Sequence, residues 1–238
     1  MKKISFLLIF FLFGCQKDWS YQYPNDSKKW AEISHENKFC KIGYNQSPID
    51  IKDDLITKFL PSDLQINYQN SLIEKIQQKY NYKFLLHDKK NFIQRAKRKF
   101  WLRYFEFHHP SEHQIASQPH SLELQLYHKS DDEQWLVLSF FLELDPENLT
   151  NNNIDFDSFI KFLNSKNSES NFDFNIFKKY VNDSFFYEGS FTVPPCLEGV
   201  KWYIEKSPII LSTAQLNSLI KSTILVKSNA RETQIFNP

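Results

Sequence analysis

Two alternating stretches dominate the middle of the chain. From Phe100 to His108, and again from Leu122 to His128, apolar and polar positions exchange with the period of strands whose side chains point to opposite faces. Leu102, Tyr104, Glu106 and His108 are therefore expected on one face of the first strand, and Glu123 and Gln125 on one face of the second. Paired across the linker His109–Ser121, the strands would gather carboxylate, imidazole and amide groups on one floor. Further strands are expected between Asp63 and Ile93. Residues 144–186, rich in Asn, Asp, Ser and Phe, read as surface loops with one or two short helices such as Asp155–Asn164. The pattern shows neither an internal repeat nor a second domain.

The first fifteen residues follow another logic. Lys2-Lys3, the apolar run Ile4–Phe13 and a small residue before Cys15 have the build of a secretory signal. The run is shorter than the ~20 apolar residues of a membrane-spanning helix. Leu12-Phe13-Gly14-Cys15 resembles a bacterial lipobox, with Phe13 where Ala, Ser or Thr is commoner. That resemblance implies a lipid on Cys15, a membrane anchor, and a domain running over residues 18–238; a plain cleaved signal peptide is the alternative. Gln16-Lys17 lacks the Asp that retains some lipoproteins in an inner membrane. Export to an outer membrane, facing the periplasm or the surface, is the expected localisation.

Composition narrows the partners. The 238 residues are 41% hydrophobic and 24% charged, enough for one large core. Without Lys2 and Lys3, 29 basic residues become 27 against 28 acidic ones, so no global nucleic-acid-binding charge exists. With four glycines and neither GxxxxGK nor GxGxxG, phosphate-cradling loops are excluded. One local excess stands out: Lys89, Lys90, Arg95, Lys97, Arg98, Lys99 and Arg103 crowd a stretch whose only acidic residue is Asp88. It reads either as a solvated hairpin with edge lysines or, with Phe92, Phe100 and Trp101 interleaved, as a patch for an anionic glycan or lipid.

The frame Tyr104-Phe105-Glu106-Phe107-His108-His109-Pro110-Ser111-Glu112-His113, followed by Glu123-Leu124-Gln125-Leu126-Tyr127-His128, resembles the zinc-binding region of α-class carbonic anhydrases of bacterial type. The opening supports it through Trp19-Ser20-Tyr21, Trp30 and Gln46-Ser47-Pro48-Ile49-Asp50-Ile51. So do Tyr187-Glu188-Gly189-Ser190-Phe191-Thr192-Val193-Pro194-Pro195-Cys196 and the closing Asn229-Ala230-Arg231-Glu232-Thr233-Gln234. The resemblance spans Trp19 to Gln234. It implies a mainly β fold with short helices, a large twisted, mostly antiparallel sheet. It also matches Cys40 and Cys196 to cysteines bridged in exported relatives, two free buried thiols being the alternative.

In active relatives three neutral imidazoles hold zinc and leave one position for a water whose pKa falls to about 7. The resemblance puts those ligands at 106, 108 and 125, where this chain has Glu106, His108 and Gln125. A carboxylate can bind zinc, whereas an amide oxygen is a weak ligand better suited to hard cations. A Glu106–His108 ion pair or hydrogen bond, with Gln125 satisfying what remains, is therefore expected in place of a cofactor. The competing set is Glu106, His108 and Glu123 on a different metal. A set of His108, His109 and His113 would require adjacent residues to converge.

The remaining roles are likewise implied by resemblance. Glu112 matches the glutamate that orients the gatekeeper threonine, here Thr192, and Glu123 the one supporting the third ligand. Tyr127, Val137, Phe191, Val193, Val200 and Trp202 fall at or beside positions lining the carbon dioxide pocket, narrowed here by Tyr127. Asn81 falls where relatives carry a proton-shuttling histidine, and His87 lies too far along a strand to replace it. His113 and His128 match structural positions; His120 reads as exposed. The expected function is a non-catalytic, carbonic-anhydrase-related binding or surface protein. The enzyme alternative is residual carbon dioxide hydration, or esterase-like hydrolysis, through an atypical metal.

Overall fold

The computed structural model describes residues 18–52, 57–59, 64–145 and 152–236. The leader and Cys15 lie outside the described residues. In chain order the strands are β1 (Asp50–Ile51), β2 (Thr57–Phe59), β3 (Gln65–Asn67), β4 (Asn70–Gln77), β5 (Tyr82–Leu85), β6 (Phe92–Arg95), β7 (Arg98–His108) and β8 (Gln114–Ile115). There follow β9 (Gln118–Pro119), β10 (Leu122–Ser130), β11 (Trp135–Leu144), β12 (Glu169–Asp173), β13 (Ser184–Ser190), β14 (Glu198–Glu205) and β15 (Ile209–Leu211). The helices α1 (Trp30–Ile33), α2 (Phe39–Ile42), α3 (Ile154–Leu163) and α4 (Thr213–Thr223) are short and peripheral.

One large sheet runs β12-β4-β5-β7-β10-β11-β14-β13-β2. Its pairs are antiparallel except where β11 meets β14 and β15 in parallel. The expected mainly β architecture is thus present. Alternation gives the central strands two buried faces. Phe105, Phe107, Leu122, Leu124, Leu126, Leu138 and Phe140 enter the larger core, while Tyr127, Val137, Val200 and Trp202 build a second cluster on the other side.

Leu102 departs from the expected face. Tyr127 pairs with Tyr104 but His128 pairs with Leu102, so Arg103 is an extra residue in β7. Such a bulge reverses the alternation. Leu102 consequently joins the larger core with Phe100, and the polar face of β7 begins at Tyr104.

The segment 144–186 is also less superficial than its polar composition suggests. Asn153 caps α3, its side chain accepting from the Asp155 backbone N–H. Phe156, Phe159 and Phe162, spaced by three, bury one helix face against the sheet, with Phe159 centred 5.2 Å from Phe84 and 5.9 Å from Phe107. Phe172, Phe174 and Phe177 are buried beside them. Each ring contributes ~1.5–3 kcal/mol of burial, so the phenylalanines seal the core while the Asn, Asp and Ser positions turn outward.

Two chain ends close over the opposite, polar face. Trp19, Tyr21 and Trp30 pack edge to face, centroids 5.2–5.7 Å apart. A disulfide joins Cys40 to Cys196 across 156 residues of sequence. Near the C-terminus Arg231 is buried; its guanidinium donates to Gln46 Oε1 and to the carbonyls of Ser47 and Cys40.

Candidate functional site

The floor is built by register. Glu106 lies opposite Gln125, His108 opposite Glu123 and Tyr104 opposite Tyr127 across β7 and β10, so the three positions the sequence singled out share one buried face. Glu106, His108 and Gln125 are 7%, 1% and 0% exposed. Burying so many polar groups is costly unless each is hydrogen-bonded, and their partners define the chemistry.

Of the expected Glu106–His108 ion pair or hydrogen bond, the ion-pair contact is present at its outer limit and the hydrogen bond is not. His108 Nε2 stands 4.0 Å from Glu106 Oε1, beyond hydrogen-bonding reach, and has no hydrogen-bond partner. The other ring nitrogen, Nδ1, donates to the Asn229 carbonyl at 2.8 Å, which fixes the ring and aims Nε2 at the site. Glu106 Oε2 instead accepts from Asn81 Nδ2 at 3.0 Å. Asn81 comes from the strand-free step between β4 and β5, a placement that pattern alone could not reveal.

Gln125 also differs from expectation. Its Nε2 donates to Glu112 Oε2 (3.1 Å) and Glu123 Oε1 (3.0 Å), and its Oε1 accepts from the Tyr127 hydroxyl at 2.6 Å. Two carboxylates on one side demand the NH2 there, which leaves the oxygen for Tyr127. The amide is thus committed to its own neighbours and satisfies neither Glu106 nor His108.

Behind the floor the electrostatics are strongly ordered. Glu123 accepts from the Glu112 and His113 backbone N–H groups, His113 Nδ1 and Ser139 Oγ as well as Gln125. Burial opposes its ionisation, but His113 and these donors hold the carboxyl at about 2. Burial pushes Glu112 up from the ordinary range, with Glu123 adding to the shift and His108 opposing it. For His108, burial disfavours the charge, yet the carboxylates of Glu112 and Glu106 outweigh it and raise the imidazole pKa. His113 Nε2 lies 2.6 Å from the Tyr187 hydroxyl, itself 2.7 Å from Ser47 Oγ. Thr192 Oγ1 is buried near Glu112 and Tyr127 without a hydrogen bond of good geometry to either.

Most of the expected pocket is filled. Tyr127 stacks on Tyr104 at 4.5 Å and lies parallel to Phe191 at 6.2 Å, and it packs with Val137, Val200 and Trp202. Val193 lies elsewhere. With Trp19, Tyr21, Lys79, Tyr80, Asn81 and Glu106 it borders a cavity of about 130 Å³.

His128 and His120 behave as packing residues. His128 is buried with Nε2 2.7 Å from the Tyr68 hydroxyl. His120 is not exposed as expected: it stacks on Phe141 at 4.3 Å and its Nδ1 meets Glu143 at 3.3 Å, because the linker folds back as β8 and β9. Exposed His87 pairs with Glu74 at 2.7 Å. The basic stretch finds acids the linear order hides. Lys89 meets Asp131 at 2.8 Å and Arg98 meets Asp132 at 2.9 Å, both from the β10–β11 turn. Lys99 lies over the rings of Phe92 and Trp101.

A large, mostly antiparallel sheet whose central strands carry a buried imidazole, carboxylates and amide beneath a small cavity defines a β-sheet scaffold with an enclosed polar site on its floor. This chain belongs to the eukaryotic-type carbonic anhydrase family, which matches residues 25–237. A carbonic anhydrase of Nostoc sp. is 29% identical over 233 residues, covering 92% of this chain and 83% of the relative. The dioscorin dioA3 of Dioscorea japonica is 31% identical over 228 residues, covering 90% and 78%. Among solved structures, the Thermovibrio ammonificans α-carbonic anhydrase with sulfanilamide superposes with a TM-score of 0.79 at 25% identity, covering 92% of this chain and 96% of that one.

The family's zinc can be tested against these donors. Zinc bound by three imidazoles needs three nitrogen lone pairs on a common point. Here one imidazole nitrogen is available, and the third position presents an amide whose oxygen is held by Tyr127 and whose NH2 is held by two carboxylates. Among the described residues no three His, Cys, Asp or Glu side chains gather as a metal-binding group. The residues present do not fit that ion.

Proposed function

We propose that this chain is a carbonic-anhydrase-related binding protein, exported and lipid-anchored through Cys15, whose site operates without zinc. The engagement of Gln125 by Tyr127, Glu112 and Glu123 carries the reading, because it removes the third ligand position from metal chemistry. Glu106 and Gln125 stand where the family resemblance puts two of the three zinc imidazoles, and Asn81, at the position of the proton shuttle, has no group that titrates near neutral pH.

The decisive measurement is elemental analysis of the purified protein together with carbon dioxide hydration. The expected outcome is substoichiometric zinc and no sulfonamide-sensitive bicarbonate formation. Stoichiometric zinc with such activity overturns the reading in favour of an atypical Glu106–His108 metal site, which the unpartnered His108 Nε2 makes the rival. The anchor is tested separately by fatty-acid labelling and by Cys15→Ser, which should release the chain from membranes. The surface around Lys99 and Trp101 supports a contact with an anionic glycan; heparin retention unchanged by reversing Arg95, Lys97 and Lys99 would end that part.

A further inference from the structure

The site sets a buried carboxylate, Glu106, beneath an aromatic opening. We infer that the cavity over Glu106 binds a small organic ammonium group, carried either by a free amine or by a lipid headgroup. This inference rests on the metal-free reading above.

The cavity is bordered by Trp19, Tyr21, Tyr80, Asn81 and Glu106. Trp19 and Tyr21 each pack on Tyr80, with centroids 5.1 and 5.0 Å away, and on one another at 5.5 Å, so three electron-rich rings cluster at the rim. Carbonyl contacts hold this arrangement: the Trp19 carbonyl accepts from the Tyr80 hydroxyl and from Lys79 Nζ. Beneath lies Glu106, 7% exposed, with Asn81 on one oxygen and the unpartnered His108 Nε2 4.0 Å from the other. A carboxylate under an aromatic rim is the chemistry that selects organic ammonium ions over neutral molecules of equal size. About 130 Å³ is the space of roughly four waters, which suits a cation of a few heavy atoms.

The protein's own ammonium groups lie over rings or on other acids, not on the Glu106 carboxylate. Lys83 is the cross-strand neighbour of Glu106, but its Nζ lies 4.1 Å from the centroid of Tyr104. Lys79 pairs with Asp18 at 2.6 Å while its Nζ covers one side of the rim, 5.0 Å from the Tyr80 centroid, which leaves Trp19 and Tyr21 as the rings open to a ligand. Both lysines border the cavity, where they would face the phosphate of a headgroup whose ammonium entered. If Cys15 carries lipid, three residue steps separate it from Asp18, a reach of at most ~11 Å. That tether would hold the opening near the bilayer surface, which is why the lipid source stands beside the free amine.

The test uses the full-length chain bearing Cys15→Ser, stripped with chelator and titrated with ethanolammonium and choline while tryptophan fluorescence and NMR shifts are followed. Acetate and ethylene glycol serve as controls. Saturable binding at millimolar concentration is expected for the cations alone. Glu106→Gln, which keeps the volume and an acceptor for Asn81, should weaken it about tenfold or more, and Trp19→Leu about threefold or more. No binding, or binding that Glu106→Gln leaves unchanged in a folded protein, overturns the inference. Vesicles distinguish the sources. Preference for phosphatidylethanolamine over phosphatidylglycerol, lost in Glu106→Gln, assigns the lipid; binding of free amines with no such preference assigns the soluble ligand. Bound zinc in the unstripped protein would instead register failure of the metal-free reading.

Discussion

The hydroxyl of Tyr127 donates to Gln125 Oε1 across 2.6 Å, two residues along the same face of one strand. This contact turns a would-be ligand into a structural amide and places a phenol ring where the resemblance expects an open apolar pocket. Releasing it should therefore reopen the site. Glu106→His with Gln125→His, and Tyr127→Val to clear the space, is expected to strengthen zinc binding by at least about tenfold per restored imidazole, read by competition with a chromogenic chelator. Hydration should stay slow because Asn81 supplies no proton shuttle. Unchanged zinc affinity in the folded triple variant would show that the floor no longer holds ligand geometry.

Asn81 supports the buried charge of Glu106. Asn81→Ala leaves that carboxylate short of a donor and should cost ~1–3 kcal/mol in urea unfolding. Combining it with Glu106→Leu should recover most of the loss, because donor and acceptor then disappear together. A simple sum of the two single effects would deny the coupling.

Acid should destabilise the fold in a defined window. Burial depresses the His128 imidazole from 6.5 to about 3. The unfolded chain therefore takes up this proton first: the stabilisation is complete above the unfolded pKa and is lost as pH falls from there towards 3. Glu123, held at about 2 against its usual 4.5, contributes above 4.5 and loses its contribution as pH falls towards 2. Denaturant midpoints should drop between about pH 6.5 and 5, and the slope should flatten in His128→Gln. An unaltered slope would assign the acid sensitivity to other groups.

Reducing the Cys40–Cys196 bridge frees a 156-residue separation and should lower stability by ~2–4 kcal/mol. Calorimetry of the Cys40→Ala, Cys196→Ala variant reads it directly. Because Arg231 donates to the Cys40 carbonyl, Arg231→Met should add ~3 kcal/mol or more by leaving buried acceptors unpaired, less than additively with the bridge variant.

Much of this protein was determined by its sequence. Alternation in Phe100–His108 and Leu122–His128 placed Glu106, His108, Glu123 and Gln125 on one floor, because strand geometry ties side-chain direction to position alone. The short helix expected at Asp155–Asn164 met α3 to within one residue at each end, and the family frame pointed to the Cys40–Cys196 bridge. Tertiary structure decided what pattern cannot carry. One extra residue at Arg103 sent Leu102 to the other face, and residues 229–231, far along the chain, supplied the carbonyl that orients His108 and the backbone N–H that meets Glu112. Glu106 took its hydrogen bond from Asn81 and kept only a 4.0 Å contact with His108, and Gln125 took Tyr127, because buried polar groups pair with whatever donor the packed chain brings within about 3 Å. Residue identity limits which partners are possible; only packing distances select among them.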